Sequence, residues 1–148
     1  MSLSRRHLLD VNVLIAILDS VHTHHQIAKK WFDAPGLEWA LCPFSEAGVL
    51  RYLTRPRPGT GRPLLSMEDA MELLARLADA PGYHYELIPG DWRTLTKPFA
   101  RQILGHKQVT DAWLMGTALQ AGLTLVTFDR AMLHLAGEFR GSVLLLEG

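Results

Sequence analysis

The sequence predicts an α/β fold, a mostly parallel sheet covered by helices on both faces. Three observations carry that expectation. Apolar runs of strand length alternate with segments of helical period along the chain. The strand-length runs are continuously apolar rather than alternating, as strands buried on both faces require. No internal repeat, low-complexity tract or interdomain linker breaks the pattern, so residues 1–148 read as a single domain, long enough to bury a core without staples.

Residues 7–10 form the first predicted strand, and an apolar helix follows to about Leu18. From His24 to Phe32, the residues Ile27, Ala28, Trp31 and Phe32 share one side of a second helix, which Pro35 and Gly36 end. Trp39 to Cys42 is a second strand. Pro43 then forces an exit before a helix from about Ser45 to Leu53, whose Glu46 neighbours Val49, Leu50 and Leu53 and so lies near the core face. The proline- and glycine-rich stretch Thr54 to Pro63 is an exposed loop.

Ser66 caps the next helix, with Asp69 in the capping-box position. Met67, Ala70, Met71, Leu74 and Leu77 form its apolar stripe. Its acids Glu68, Asp69 and Glu72 face away or lie in the first turn, where the helix dipole favours them. Tyr83 to Ile88 alternates as a strand. Asp91 caps a helix that Pro98 must kink or split, and Gly105 closes it. A long helix runs from Thr110 or Asp111 to Ala121, with Gly122 just past its end. Leu123 to Val126 is a buried strand, residues 130–135 a short helix, and Ser142 to Leu146 the last strand.

Hydrophobic residues make up 48% and charged residues 20% of the chain, an ordinary balance for a compact folded protein. The single cysteine, Cys42, excludes an internal disulfide and a cysteine-based zinc site. It points to a reducing, cytoplasmic setting, with the thiol itself buried and inert. No segment approaches the ~18 apolar residues of a membrane span. Arg5, Arg6 and His7 precede an apolar run as in a signal peptide, but Asp10 and Asn12 interrupt that run. With a formal net charge of zero, attraction to nucleic acid has to come from a local patch; Arg51, Arg55, Arg57 and Arg62, with no acid among them, are the candidates.

Four acids stand at the junctions of apolar elements: Asp10 after the first strand, Glu46 near the start of a helix, Asp111 opening the long helix, and Asp129 after the strand that follows that helix. Ligands of an open parallel sheet bind beyond the carboxyl ends of its strands, and all four acids can meet there. Clustered carboxylates raise one another's pKa. A divalent cation such as Mg²⁺ or Mn²⁺, which prefers oxygen ligands, offsets that repulsion, polarises a phosphate and activates water. Asn12 and Thr127 could support the cluster, and Arg130 could reach a phosphate. Asp111 and Asp129 taken singly could instead cap helices. Asp10 is harder to explain in that way, because capping leaves its burial cost in place.

At these residues the chain resembles the PIN-domain ribonucleases, in particular the VapC-type toxins of bacterial toxin–antitoxin pairs. Four blocks carry the likeness: residues 8–15 around Asp10, residues 45–51 around Glu46, residues 109–114 around Asp111 and residues 125–130 around Asp129. The resemblance implies a three-layer α/β/α sandwich with Asp10, Glu46, Asp111 and Asp129 as a catalytic Mg²⁺/Mn²⁺ site. It also implies endonucleolytic cleavage of RNA such as tRNA or rRNA, a small cognate VapB-like antitoxin and a homodimer. Val11 departs mildly from the pattern, since many relatives carry a hydroxyl residue there.

Other residues attract less. His22, His24 and His25 cluster before a helix, without a further soft ligand at a metal-binding spacing, and take a surface or helix-start role. Trp31, Trp39, Trp92 and Trp113 lie on apolar faces and belong to the core. Met67 and Met71 could serve the core or a dimer surface. A receiver-like phosphoacceptor domain would want a late lysine, but none follows Lys107; a haloacid-dehalogenase-type phosphatase would want an acid where Asn12 stands. A non-catalytic PIN-like module binding RNA or protein is the remaining alternative.

Overall fold

The computed structural model describes residues 6–147, so Arg5 of the signal-like start lies outside the described residues. Five strands, β1 (His7–Leu9), β2 (Trp39–Leu41), β3 (Tyr83–Tyr85), β4 (Thr124–Thr127) and β5 (Val143–Leu145), form one sheet in the order β3-β2-β1-β4-β5. Every pairing is parallel. The helices are α1 (Val11–Leu18), α2 (His25–Phe32), α3 (Pro43–Thr54), α4 (Met67–Leu77), α5 (Trp92–Thr96), α6 (Val109–Ala121) and α7 (Ala131–Ala136).

Successive strand residues point to opposite faces and therefore feed two cores. Leu8, Ala40 and Leu125 pack beneath Phe99, Met115 and Leu135, on the side of α5 to α7. Leu9, Trp39, Leu41 and Val126 pack against Val13, Val49 and Ala70, on the side of α1 to α4. Burial on both sides explains why the strands lack alternation, and it yields the α/β/α layering.

Several element boundaries differ from the sequence expectation. Pro43 does not force an exit before α3; it occupies the first turn, where its missing N–H costs nothing and its fixed φ suits the helix. β3 stops at Tyr85 because β2 ends at Leu41, its register partner, leaving the rest of the predicted strand without a ladder to join. Pro98 splits its helix as expected, into α5 and a 3-10 turn over Lys97–Phe99. Asp91 and Ser66 cap their helices through the N–H groups of Thr94 and Asp69. Gly122 ends α6 at φ +71°, a left-handed conformation that glycine adopts without steric penalty.

Two packing expectations need correction. Trp92 is exposed rather than core, because it opens the short α5, which buries only Leu95. Along α4 the buried seam is narrower than the predicted stripe: Ala70 is fully enclosed and Leu74 and Leu77 are half-buried, while Met67 and Met71 face solvent. Cys42 is buried as expected, with its Sγ 3.5 Å from the Ser45 hydroxyl. Among the described residues, no helix is long and apolar enough to cross a membrane.

Candidate active site

The chain leaves β1 toward β2 on one side, while β4 pairs on the other, so the carboxyl ends of β1 and β4 border the point where strand order reverses. Side chains from several elements converge at such a crevice. Leu9 pairs with Val126, which brings the next residues of the two strands, Asp10 and Thr127, side by side. Asp10 is the N-cap residue of α1, yet its carboxylate makes no capping bond. It is only 5% exposed and instead accepts a 2.7 Å hydrogen bond from Thr127 Oγ1. The same hydroxyl accepts from the Asp129 N–H at 3.0 Å. One buried threonine thus links the first acid to the turn that carries the last.

Burial pushes the Asp10 carboxyl above its ordinary value; the Thr127 and Val11 hydrogen bonds oppose the rise and the Asp129 charge adds to it. Asp111 is the third residue of α6, not its opener, because Val109 begins the helix after a 3-10 turn. Partial burial, followed by the charges of Asp10 and Asp129, pushes its carboxyl up to about 6. Asp129 accepts a 2.9 Å bond from the Ala131 N–H at the start of α7. Three acids from three separate segments therefore repel one another across one site. Among the described residues, no Lys or Arg side chain pairs with any of them.

Glu46 is placed differently. It lies in the first turn of α3, beside Ser45, whose buried hydroxyl donates to the Leu9 carbonyl at 2.9 Å and ties α3 to the end of β1. Its charge is felt at the two tyrosines of β3. Loss of solvent contact, then the Glu46 charge and a hydrogen bond to it, push the Tyr85 hydroxyl above its ordinary value; Tyr83 is raised in the same sense. The structure thus brings Asp10, Asp111 and Asp129 into mutual influence and sets Glu46 against Tyr85. Among the described residues, no three His, Cys, Asp or Glu side chains stand close enough to hold a metal ion as they are.

The remaining candidates divide. Asn12, exposed on α1, lines a cleft of about 650 Å³ together with Arg51, Arg55 and Thr110. Arg57 is engaged elsewhere, donating to the Tyr52 hydroxyl at 3.2 Å and lying 4.0 Å from Asp19. Arg62 is exposed in the loop and lines no part of that cleft. Arg130 pairs with Glu147. His22 and His24, read from the sequence as surface or helix-start residues, line a smaller hollow with Asn12 and Asp129. Their wide separation from Asp129 in sequence gave no signal of this.

Asp111 makes stability depend on pH in a definite direction. Its folded-state value of about 6 lies above the ordinary 3.8, so the folded chain holds a proton that the unfolded chain has lost. Stability then falls as pH rises from 3.8 to about 6, and the loss is complete above that window. Thermal melts across this range in the presence of a chelator should show the decline, and Asp111→Asn should make it shallower. A slope unchanged by that substitution would contradict the assignment.

A PIN-domain family model matches residues 7–138. Ribonuclease VapC38 of Mycobacterium tuberculosis is 37% identical over 132 residues, covering 88% of this chain and 90% of that protein. Among solved structures, a toxin–antitoxin complex from Klebsiella pneumoniae superposes with a TM-score of 0.57 at 19% identity, over 93% of this chain and 95% of that one. M. tuberculosis VapC20, a sarcin–ricin loop cleaving toxin, superposes with a TM-score of 0.58 at 16% identity, over 85% and 92% of the two chains.

Proposed function

This chain belongs to the PIN-domain family, with VapC ribonucleases among its relatives, and on that premise we propose that it is a Mg²⁺/Mn²⁺-dependent endoribonuclease, the toxin of a toxin–antitoxin pair. The observation that carries the proposal is the cluster of Asp10, Asp111 and Asp129 at the strand-order reversal, with Asp10 buried and held by Thr127.

The donor set suits a hard divalent cation. It consists of carboxylate oxygens, of which burial and the Asp10 and Asp129 charges raise the Asp111 carboxyl, and among the described residues no basic side chain pairs with them. Asp10, Asp111 and Asp129 would hold the ion, and Glu46 would join them by turning away from Tyr85. When bound, the ion supplies Lewis-acid polarisation of the phosphate and a lowered pKa for the attacking water. The chain's own residues do the rest. Thr127 fixes the Asp10 carboxylate in one orientation, and its second bond, from the Asp129 N–H, keeps the Asp129 turn in register with it. Arg51 and Arg55 in the large cleft bind backbone phosphates, and Asn12 is shared between that cleft and the hollow that Asp129 lines.

Binding of the ion to the folded chain alone raises stability by about 2.7 kcal/mol at one hundred times its dissociation constant. Millimolar Mn²⁺ or Mg²⁺ should therefore raise the melting temperature, and Asp10→Asn with Asp111→Asn should abolish the rise. Absence of any shift in the unmodified chain would sink the metal-dependent mechanism. It would favour the alternative of a non-catalytic module binding RNA or protein, for which the direction of Glu46 toward Tyr85 is the one supporting observation.

We assign the RNA substrate to structured tRNA or rRNA in the cytoplasm, and the inhibitor to a small VapB-like antitoxin. Support comes from the VapC relatives and from the fold shared with a toxin–antitoxin complex. Residues 1–148 act as one nuclease domain. Exposed Met67 and Met71 on α4 form an apolar surface suited to a homodimer, which sedimentation of a monomer at high concentration would contradict.

A further inference from the structure

Three hollows run in series along the carboxyl edge of the sheet, and shared side chains form the ridges between them. The large cleft with Arg51 and Arg55 meets a second hollow, of about 400 Å³, at Asn12 and His22. The second meets a third, of about 370 Å³, at His24 and Phe128. Asp129 opens into the second, and Arg130 borders the third. This track has Arg51 and Arg55 at one end, an acid in the middle, an aromatic ridge directly after the acid, and at the far end Arg130 paired with Glu147.

The ridge is built rather than incidental. The His24 and Phe128 rings lie nearly parallel, 4.6 Å apart between centroids at 18°. Phe128 is half-buried and anchored in the core beneath, whereas His24 is exposed. The turn carrying His24 is tied at both ends: its N–H donates to His22 Nδ1 at 3.1 Å, and His25 Nδ1 lies 2.7 Å from the Ala16 carbonyl of α1. Nothing in the fold requires an exposed imidazole stacked on an anchored phenyl ring at this position. An aromatic surface beside a track of cations is how proteins hold the bases of an unpaired strand, because every base offers a π face.

We propose that the His24–Phe128 pair is a base-stacking shelf for the RNA: the nucleotide adjoining the scissile phosphate leaves its own stack and lays its base on His24. The shelf rests on the ribonuclease assignment for its substrate, but its own evidence is the ring geometry and the three joined hollows. It makes His24 a substrate-binding residue rather than part of a helix start.

The test uses the Asp10→Asn protein, so that cleavage does not interfere, and a short oligouridylate carrying a single pyrrolocytidine whose emission is quenched on stacking. Moved along the strand, the fluorescent base should be quenched at one position. His24→Ala on the same background should lose that quenching and weaken binding about 5- to 150-fold, the range for one stacked base. His24→Tyr should restore both, with thermal melts confirming that all variants are folded. Equal affinity and quenching in His24→Ala, or no quenching at any position, would overturn the shelf. Cleavage by the chain with Asp10 intact separates the two proposals: cleavage undiminished by His24→Ala leaves the nuclease and removes the shelf, whereas His24-dependent quenching in a chain that cleaves nothing leaves the shelf and removes the nuclease.

Discussion

Asp10→Asn should lower RNA cleavage by about 10³-fold, at the upper end of what removal of a single electrostatic group from an active site costs. The amide keeps the shape of the side chain and an oxygen that can still accept from Thr127 Oγ1, so the link to the Asp129 turn survives. What disappears is the negative charge, which burial makes unfavourable in the folded chain. The substitution therefore removes a folding penalty at neutral pH while removing the function, and the melting temperature without metal should stay level or rise. Loss of activity with retained or greater stability marks a residue kept for chemistry rather than for the fold. Cleavage assays beside calorimetric melts would show both effects. Full activity in Asp10→Asn would mean that the reaction takes place elsewhere.

Gly116→Ala should be among the most damaging single-methyl changes, costing about 3 kcal/mol, the upper range for overpacking. Gly116 is buried in the middle of α6, and a Cβ there would stand 2.1 Å from the Leu95 carbonyl oxygen and 2.7 Å from its carbon. The obstacle is backbone, not the end of a flexible side chain, so α5 and α6 would have to separate. Asp111 stands on α6 between Gly116 and the start of the helix, so the separation should also displace that carboxylate and reduce cleavage. At Gly48, by contrast, an added Cβ meets side-chain atoms rather than backbone, the nearest a Val11 methyl at 2.5 Å. Urea denaturation of the two variants should rank Gly116→Ala well below Gly48→Ala. Equal stabilities would show that α5 yields easily.

The layers and most of the site are legible in the sequence because both rest on local signals. A continuous apolar run such as Leu8 to Leu9 states that both faces of a strand are covered, and an acid immediately after it states that something at the strand end needs a carboxylate. Asp10 and Asp129 each follow such a run, and the structure sets both within electrostatic reach of Asp111 near the start of α6. Glu46 lies in the first turn of α3, but its influence on Tyr85 depends on β3 lying beyond β2, which no local pattern encodes. The surroundings of His22 and His24 are hidden for the same reason: their meeting with Phe128 and Asp129 joins the turn after α1 to the turn after β4 across the sheet edge. Side-chain type alone sends Trp92 and Met71 inward, whereas α5 is too short and the α4 seam too narrow to cover them. Arg57 counts as basic in the sequence, but its engagement with Tyr52 and Asp19 is visible only once the chain is folded.

Cleavage of total cellular RNA by the purified chain, with Mg²⁺ or Mn²⁺ and in parallel with EDTA, tests the assignment of a metal-dependent ribonuclease most directly. Discrete fragments that form with the metal and vanish with the chelator are the expected result, and mapping their ends would name the target. Fragments that persist in EDTA, or intact RNA after incubation with folded, antitoxin-free protein in either metal, would contradict it.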